Sequence, residues 1–267
     1  MLELVFLGVN GSVQERESGN VSLIVSDGKY SVLVDASVNL QEAVNRQVDA
    51  IILTHEHIDH IYGLPSFLHQ SWLVGRTKPL TIYADEKFLP KAKALVDFFG
   101  LREKKGMFEI NFESLSSGFG FGGSCSDGSC SDGLEVSALE ISALEISAFR
   151  TDHTDCSIGL VFKCGDKKVV YTCDTLPITS PPSSWNGADI LIHEATDVKE
   201  SLHGKHSSGY DAGVLATKIG AKRLMLCHLP CDSDGVGGLG GKQAVLLEAK
   251  AAFAGAEIPV VMESYYL

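Results

Sequence analysis

The sequence lacks any apolar run that approaches the roughly 20 residues needed to cross a bilayer. It also lacks a basic segment ahead of its first apolar stretch, and the acid Glu3 interrupts that stretch within residues 1–8. A secretory signal combines a basic start with an uninterrupted apolar stretch. We therefore interpret the N-terminus as a first β-strand and predict a cytoplasmic protein.

Paired cysteines are also missing. The chain has seven cysteines, and no two of them have the C-x2-C spacing of a zinc knuckle. An odd number of cysteines in a chain without an export signal argues against a disulfide framework. Cys164, Cys173 and Cys227 lie in or beside apolar runs, which predicts buried thiols.

Positive charge is scarce, because 22 basic residues face 34 acidic ones and the net charge is -12. The sequence contains no block of lysine and arginine that would offset this charge locally. Such a surface repels the phosphate backbone of a long nucleic acid. The charge therefore favours a small substrate over a polymer.

The length of 267 residues suits one domain with a substantial core, and we predict a single domain over 1–267. Apolar runs separated by turn residues predict two β-rich halves, each followed by helices. Predicted strands cover 2–7, 21–25, 30–34, 50–53, 80–84, 158–164, 169–172, 190–192 and 223–226. Predicted helices cover 61–74, 88–99, 209–219 and 242–253. This order suggests two sheets packed face to face with helices outside.

Two further segments have unusual composition. Residues 116–133 are dominated by Gly, Ser, Cys and Asp, so we predict a surface loop there, either a lid or an insertion. Residues 137–146 contain S-A-L-E-I twice. In one regular strand, a five-residue repeat places equivalent side chains on opposite faces. A bulge, a turn or a helical stretch would each resolve this.

The clearest chemical signal is the segment T-H-E-H-I-D-H at 54–60, directly after an apolar strand. It places His55, His57, Asp59 and His60 within six residues at a strand-to-helix junction. Neutral imidazole and carboxylate are suitable ligands for zinc, manganese or iron. The segment therefore predicts a metal site.

The H-x-H-x-D-H pattern, followed by Gly-Leu at 63–64, resembles the signature of the metallo-β-lactamase superfamily. This resemblance implies a four-layer αββα sandwich with two metal ions at one edge of the sheets. It also implies later ligands at strand ends, and His153, Asp174 and His228 stand at such positions.

By this resemblance, each ion has three ligands of its own and the two ions share one more. The ligands of the first ion would be His55, His57 and His153, and those of the second would be Asp59, His60 and His228. Asp174 would bridge the two ions. Two divalent ions about 3.5–4 Å apart can hold one water between them and lower its pKa. Asp59 would also orient that water. Zinc is favoured, with manganese or iron as alternatives.

The segments L-I-H-E-A-T at 191–196 and G-K-H-S-S at 204–208 resemble segments of the ribonuclease Z group. By that similarity, Glu194 and His206 form a pair beside the scissile phosphate. A carboxylate partner favours the protonated imidazole, which can stabilise phosphoryl charge and donate to the leaving oxygen. A buried structural hydrogen bond between the two is the alternative reading. The resemblance also implies a homodimer.

The chain departs from that group in several places, beginning with residues 7–12, which only loosely resemble its Gly-rich entry loop. Asp197 stands where the group usually has an aromatic residue, and Leu229-Pro230-Cys231 lacks the usual aromatic-basic continuation. Moreover, only about twenty residues separate His153 from Asp174, too few for the long arm that tRNA-processing enzymes insert there. We therefore predict a phosphodiesterase for a small or single-stranded phosphodiester.

Two other functions are compatible with the same motif. One is hydrolysis of a carbonyl substrate such as a lactone, thioester or β-lactam, in which the nucleophile attacks carbon. The other is a non-hydrolytic metal-binding or redox protein. The Glu194–His206 pair favours phosphorus over carbon, and the intact set of predicted ligands argues against a degenerate binding scaffold.

Overall fold

The computed structural model describes residues 1–37, 39–115, 135–141, 143–232 and 241–267, with the backbone alone described for 135–141. Within these residues the chain forms two β-sheets that pack face to face, with helices on both outer surfaces. The predicted αββα sandwich is confirmed. None of the described helices is long and apolar enough to cross a membrane.

In the described residues the first sheet contains eight strands, most of them from the first half of the chain. Its strands are β1 (Glu3–Asn10), β2 (Gly19–Asn20), β3 (Ser22–Ser26), β4 (Ser31–Val34), β5 (Ala50–Ile52), β6 (Leu80–Ala84), β7 (Ile110–Ser114) and β15 (Ser264–Tyr266). Their order across the sheet is β15-β1-β3-β4-β5-β6-β7, and β2 pairs with β1. The C-terminal strand therefore pairs with the N-terminal one.

The described part of the second sheet contains seven strands in the order β14-β13-β12-β11-β10-β9-β8. These are β8 (Glu135–Ile141), β9 (Leu144–Arg150), β10 (Ile158–Cys164), β11 (Lys167–Tyr171), β12 (Ile190–Glu194), β13 (Arg223–Cys227) and β14 (Ala256–Glu257). The first S-A-L-E-I copy lies on β8, and residues 144–146 of the second copy lie on β9. The two strands pair antiparallel with Ile141 opposite Leu144, so a reversal of the chain separates the copies.

The helices cover the outer face of each sheet. They are α1 (Gln41–Arg46), α2 (Ile58–Ile61), α3 (Leu64–Leu73), α4 (Leu89–Phe98), α5 (Gly209–Ile219) and α6 (Gly241–Ala252), with a 3-10 turn at Ser183–Trp185. Buried residues of α1, α3 and α4 pack on the first sheet, and those of α5 and α6 pack on the second.

The strands of the first sheet are apolar on both faces because each face is covered. In β1, Leu4 and Phe6 belong to the core shared with the second sheet, whereas Val5 and Leu7 belong to the core beneath the helices. This alternation follows from the two-residue period of a strand. It explains the near-continuous apolar runs that marked these strands in the sequence.

Parallel strands in both sheets end at the edge where polar residues gather. β4, β5 and β6 run parallel in the first sheet, and β11, β12 and β13 run parallel in the second. Asp35 follows β4, His55 lies three residues after β5, and His228 follows β13. The ends of separate strands thus deliver these side chains to one place.

The predicted helix 61–74 is wrong in one respect, because two helices, α2 and α3, occupy this part of the chain. Gly63 lies between them and donates its backbone N–H to the carbonyl of Ala36, at 2.8 Å. The sequence analysis also missed α1, β7 and β15, which are short. The predicted loop 116–133 lies outside the described residues.

We expect Gly63→Ala to destabilise the fold. An added Cβ would lie 1.9 Å from the carbonyl oxygen of Ser37 and would force the two backbones apart. Overpacking of this kind costs about 1–3 kcal/mol, and here the obstacle is backbone rather than a mobile side chain. Urea unfolding measures the change in the free energy of unfolding. Ser66→Ala, at an exposed position of α3, is the control, and equal stability of the two variants would contradict the expectation.

Candidate metal centre

The seven predicted metal ligands converge at the strand-end edge described above. Two sets of their ligand atoms lie at most 4.8 Å apart: His55, His57, His153 and Asp174; and Asp59, His60 and His228. Two further sets at this distance cross between them: Asp174 and His228 with His206, and His55 and His60 with Cys173. Most of these side chains are buried, but His57 is exposed to solvent. The cluster is therefore enclosed by protein on most sides and open at His57.

Asp174 lies at the centre of the cluster. Its Oδ2 is 3.7 Å from Nε2 of His55, 3.6 Å from Nε2 of His60 and 3.6 Å from Nε2 of His153. The same oxygen is 3.1 Å from Nε2 of His228. One carboxylate thus faces ligand atoms of both groups.

Four atoms of this cluster are buried without a hydrogen-bond partner in the described structure. They are Nε2 of His55, Nε2 of His60 and both carboxylate oxygens of Asp174. Leaving a buried polar atom unpaired costs about 1–3 kcal/mol, so native proteins rarely do so without another partner. Because imidazole nitrogens and carboxylate oxygens bind transition-metal ions, these residues fit a divalent metal site.

The outer nitrogen of His60 is fixed by a buried carboxylate. Nδ1 of His60 lies 2.7 Å from Oδ2 of Asp35, which leaves Nε2 directed at Asp174. Asp35 also accepts hydrogen bonds from the backbone N–H of Thr54, at 2.8 Å, and from its hydroxyl. A carboxylate that orients a histidine in this way is common around protein-bound metals.

Two other histidines are oriented through the same ring atom. Nδ1 of His153 donates to the carbonyl of Lys205, at 2.8 Å, and Nδ1 of His228 lies 2.9 Å from the hydroxyl of Thr196. Nε2 of each ring then faces the cluster. His57 differs, since its Nδ1 lies 3.0 Å from Nε2 of His153. His57 therefore presents Nδ1 to the cluster.

The cluster strongly shifts the pKa values of its members. Burial, reinforced by the positive charge of His60, lowers the pKa of His55 well below its ordinary value. Burial also lowers the pKa of His60, but the carboxylates of Asp174 and Asp35 outweigh it and hold that pKa well above its ordinary value. Burial raises the pKa of Asp174, yet His228 and His60 hold it well below its ordinary value. The ionised carboxylate is thus the stable form at the centre.

The backbone is strained at three strand ends around the cluster. Asp35, Cys173 and His228 have φ angles of 57°, 53° and 51°. This left-handed conformation disfavours residues other than glycine. Strain of this kind concentrates at functional sites, where the surrounding structure holds it in place. Here it marks the turns at which the strands deliver their polar side chains.

Glu194 and His206 form the predicted pair. Nδ1 of His206 lies 3.1 Å from Oε1 and 3.3 Å from Oε2 of Glu194. Glu194 is fully buried and also accepts hydrogen bonds from the N–H of Thr175 and the hydroxyl of Thr196, both at 2.7 Å. A ring nitrogen of His206 lies within 4.8 Å of ligand atoms of Asp174 and His228. The pair therefore borders the metal cluster.

The sequence analysis missed two residues that support the site, Asp35 and Thr196. An acid directly after an apolar strand, as Asp35 follows β4, was the available signal for the first. Thr196 contacts both His206 and His228, at 3.1 and 2.9 Å. Thr196 lies in the segment 191–196 that the sequence analysis identified. Its contacts could not be predicted, because they depend on where folding places His206 and His228, 10 and 32 residues further along the chain.

Comparisons with known proteins agree with this geometry. A family profile described as "Beta-lactamase superfamily domain" matches residues 30–229. The ribonuclease Z of Halobacterium salinarum is 28% identical over 267 aligned residues, covering 85% of this chain and 87% of that protein.

Solved structures are similar over nearly the whole chain. The metallo-β-lactamase fold protein YhfI from Bacillus subtilis is 21% identical, with a TM-score of 0.75 and coverage of 99% of this chain and 98% of that one. The short form of human tRNase Z is 18% identical, with a TM-score of 0.70 and the same coverages.

These findings confirm three predictions made from the sequence. They are the fold, the enzyme class of metal-dependent hydrolase, and the resemblance to the ribonuclease Z-like branch. The individual ligand and catalytic roles stay predictions. The family match over residues 30–229 shows that this chain belongs to the β-lactamase superfamily.

Proposed function

We propose that the protein is a phosphodiesterase that uses two divalent metal ions on a small or single-stranded phosphodiester. This proposal rests on one observation: buried imidazole nitrogens without hydrogen-bond partners converge on the carboxylate of Asp174, beside the Glu194–His206 pair. Residues 1–267 would form one catalytic domain. A homodimer and a cytoplasmic location stay predictions from the sequence.

The proposed division of the ligands between the two ions is supported by the closeness of their ligand atoms within each set. One ion would be held by His55, His57 and His153, the other by Asp59, His60 and His228, and Asp174 would bridge them. When bound, the ions would lower the pKa of a water and offset the negative charge of the phosphate. Imidazole-rich ligand sets favour zinc, with manganese and iron as alternatives.

Asp59 would orient the attacking water. Its Oδ2 lies 3.4 Å from Nε2 of His228 and accepts a hydrogen bond from the hydroxyl of Ser12, at 3.2 Å. Burial raises the pKa of Asp59, but His228 and His60 hold it well below its ordinary value, so the carboxylate is ionised. It can therefore accept a hydrogen bond from water and fix the direction of attack.

His206 would act on the leaving group. Because its Nδ1 is bound to Glu194, its Nε2 is the nitrogen available to a substrate. Protonated at Nε2, the ring would donate to the oxygen that leaves phosphorus. Glu194 is itself anchored by Thr175 and Thr196, so the ring is held in one orientation.

The surroundings of the site favour a small substrate over a structured RNA. β10 and β11 form a tight hairpin between His153 and Asp174, with two residues between the strands, so this span contains no arm. The nearby Lys205 is paired with Asp152, at 2.8 Å. The overall charge of -12 adds to this argument. A short phosphodiester needs no extended basic surface.

Hydrolysis of bis(p-nitrophenyl) phosphate tests the proposal. It should be measured beside a chromogenic β-lactam and a thioester, with zinc-, manganese- and iron-loaded protein and a chelated control. We expect metal-dependent turnover of the phosphodiester and much slower turnover of the carbonyl compounds. Turnover of the carbonyl compounds alone would overturn the substrate class. Metal uptake without turnover of any compound would favour a binding or redox role.

A further inference from the structure

A cavity of about 260 Å³, lined by both polar and apolar residues, opens beside the predicted metal ligands. His206 and His228 form one part of its wall, so the cavity adjoins both the proposed leaving-group residue and a proposed metal ligand. Ser12, Asp197, Ser201 and His203 contribute polar groups to the remaining wall, and Val13, Leu229 and Pro230 contribute apolar ones. A group attached to a phosphate bound between His206 and His228 would therefore lie next to the cavity.

Asp197 supplies the carboxylate of the cavity. It is half-buried, and its Oδ1 accepts a hydrogen bond from the backbone N–H of Val198, at 2.7 Å. Across the described ranges of the chain, no lysine, arginine or histidine forms an ion pair with it. Within the described part of the chain, the carboxylate of Asp197 thus has no direct ion-pair partner, although His203 and His206 line the same cavity.

The residues next to Asp197 connect it to the predicted metal ligands and to α5. Thr196, the preceding residue, contacts the rings of His206 and His228. On the other side, the backbone of Asp197 forms a parallel bridge with Ser208, at the start of α5. The backbone of Asp197 is consequently held next to the residues that contact His206 and His228.

The carboxylate in the cavity wall determines which groups the cavity can bind. A carboxylate repels a second phosphate and accepts hydrogen bonds, and a pair of neighbouring hydroxyls can bind both of its oxygens. Acidic residues recognise ribose hydroxyls in this way in dinucleotide-binding proteins. The volume of 260 Å³ lies below the roughly 300–1,000 Å³ of pockets that bury drug-sized ligands, which indicates a group about as large as one sugar.

We propose that this cavity binds a ribose with free vicinal hydroxyls on the substrate, and that Asp197 accepts hydrogen bonds from those hydroxyls. This inference rests on the proposed phosphodiesterase function and narrows its substrate to ribonucleoside esters. Asp197 is thus assigned as the residue that selects the substrate.

Two p-nitrophenyl esters of uridine 5′-phosphate test the inference, one with the 2′- and 3′-hydroxyls and one without them. Hydrogen bonds to a charged group correspond to a preference of at least about tenfold. We expect the unmodified protein to prefer the ribose ester by this factor in kcat/KM, mainly through KM. Asp197→Asn, which keeps the size and the bond to Val198, should reduce the preference to near one. Asp166→Asn, at a side chain that is 87% exposed, should retain it.

Equal kcat/KM for the two esters in the unmodified protein would overturn the inference, and so would an undiminished preference in Asp197→Asn. Binding of uridine 5′-monophosphate and its dideoxy analogue, measured by calorimetry, separates this inference from the proposed function. If bis(p-nitrophenyl) phosphate and both esters are not hydrolysed, the proposed function fails. A tenfold difference in binding that Asp197→Asn removes would still support the cavity, and equal binding would reject it.

Discussion

Replacing Asp174 with alanine is expected to abolish metal binding and hydrolysis together. Its Oδ2 faces four histidine nitrogens at 3.1–3.7 Å, so its removal takes away the proposed bridging ligand of both ions. Changes to residues that merely support a ligand cost about 10–100-fold in affinity or activity, and loss of the bridge should exceed this. Metal content after dialysis and turnover of bis(p-nitrophenyl) phosphate measure the two losses.

The exposed acid Asp166 provides the control for this experiment. Asp166→Asn removes the same charge from the β10–β11 turn and should leave metal content and turnover unchanged. Circular dichroism of Asp174→Ala should show a retained fold. An Asp174→Ala protein that is folded, binds two equivalents of metal and turns over substrate would contradict the proposed bridging role.

Replacing His206 with alanine is expected to lower kcat by about 10²–10⁴-fold while the metal content stays unchanged, because proton donation typically contributes this factor. KM should change little. The loss should be larger for a phosphodiester with an alkyl leaving group than for one with p-nitrophenol, since an alkoxide needs the proton far more than a weakly basic phenolate does.

His69 is the matched control, because it lies outside the metal cluster and contacts Lys104 and Trp72. His69→Ala should keep both kcat and metal content. If His206→Ala loses metal, His206 is a ligand, as its closeness to Asp174 and His228 would allow. If the loss of rate is the same for both leaving groups, the ring does not donate the proton.

The candidate ligands were predictable from the sequence because each is a local feature. His55, His57, Asp59 and His60 share one short segment, so their convergence needs little tertiary information. Asp174 and His228 each follow an apolar strand, and parallel strands end at a common edge. The strands β1 and β5 were also predictable from local sequence, because an apolar run marks a strand that is covered on both faces.

The supporting contacts could not be predicted in this way. The role of Asp35 depends on the position of β4 beside β5, which brings its carboxylate to Thr54 and His60. The cavity at Asp197 forms only because residues 11–13, which follow β1, meet residues 228–231, which follow β13. The hydrogen bond from the N–H of Gly11 to the carbonyl of Leu229 joins these two segments. Such contacts follow from tertiary packing and leave no periodic trace in the sequence.

The left-handed turns at Asp35, Cys173 and His228 limit how the protein can be engineered for heat resistance. Glycine would relieve each turn, but it would remove a carboxylate or an imidazole at two of the three positions. Stabilising changes are therefore better directed to the opposite ends of the strands, such as the turn between β10 and β11. A more rigid scaffold could be built there without altering the strained edge that presents the polar groups.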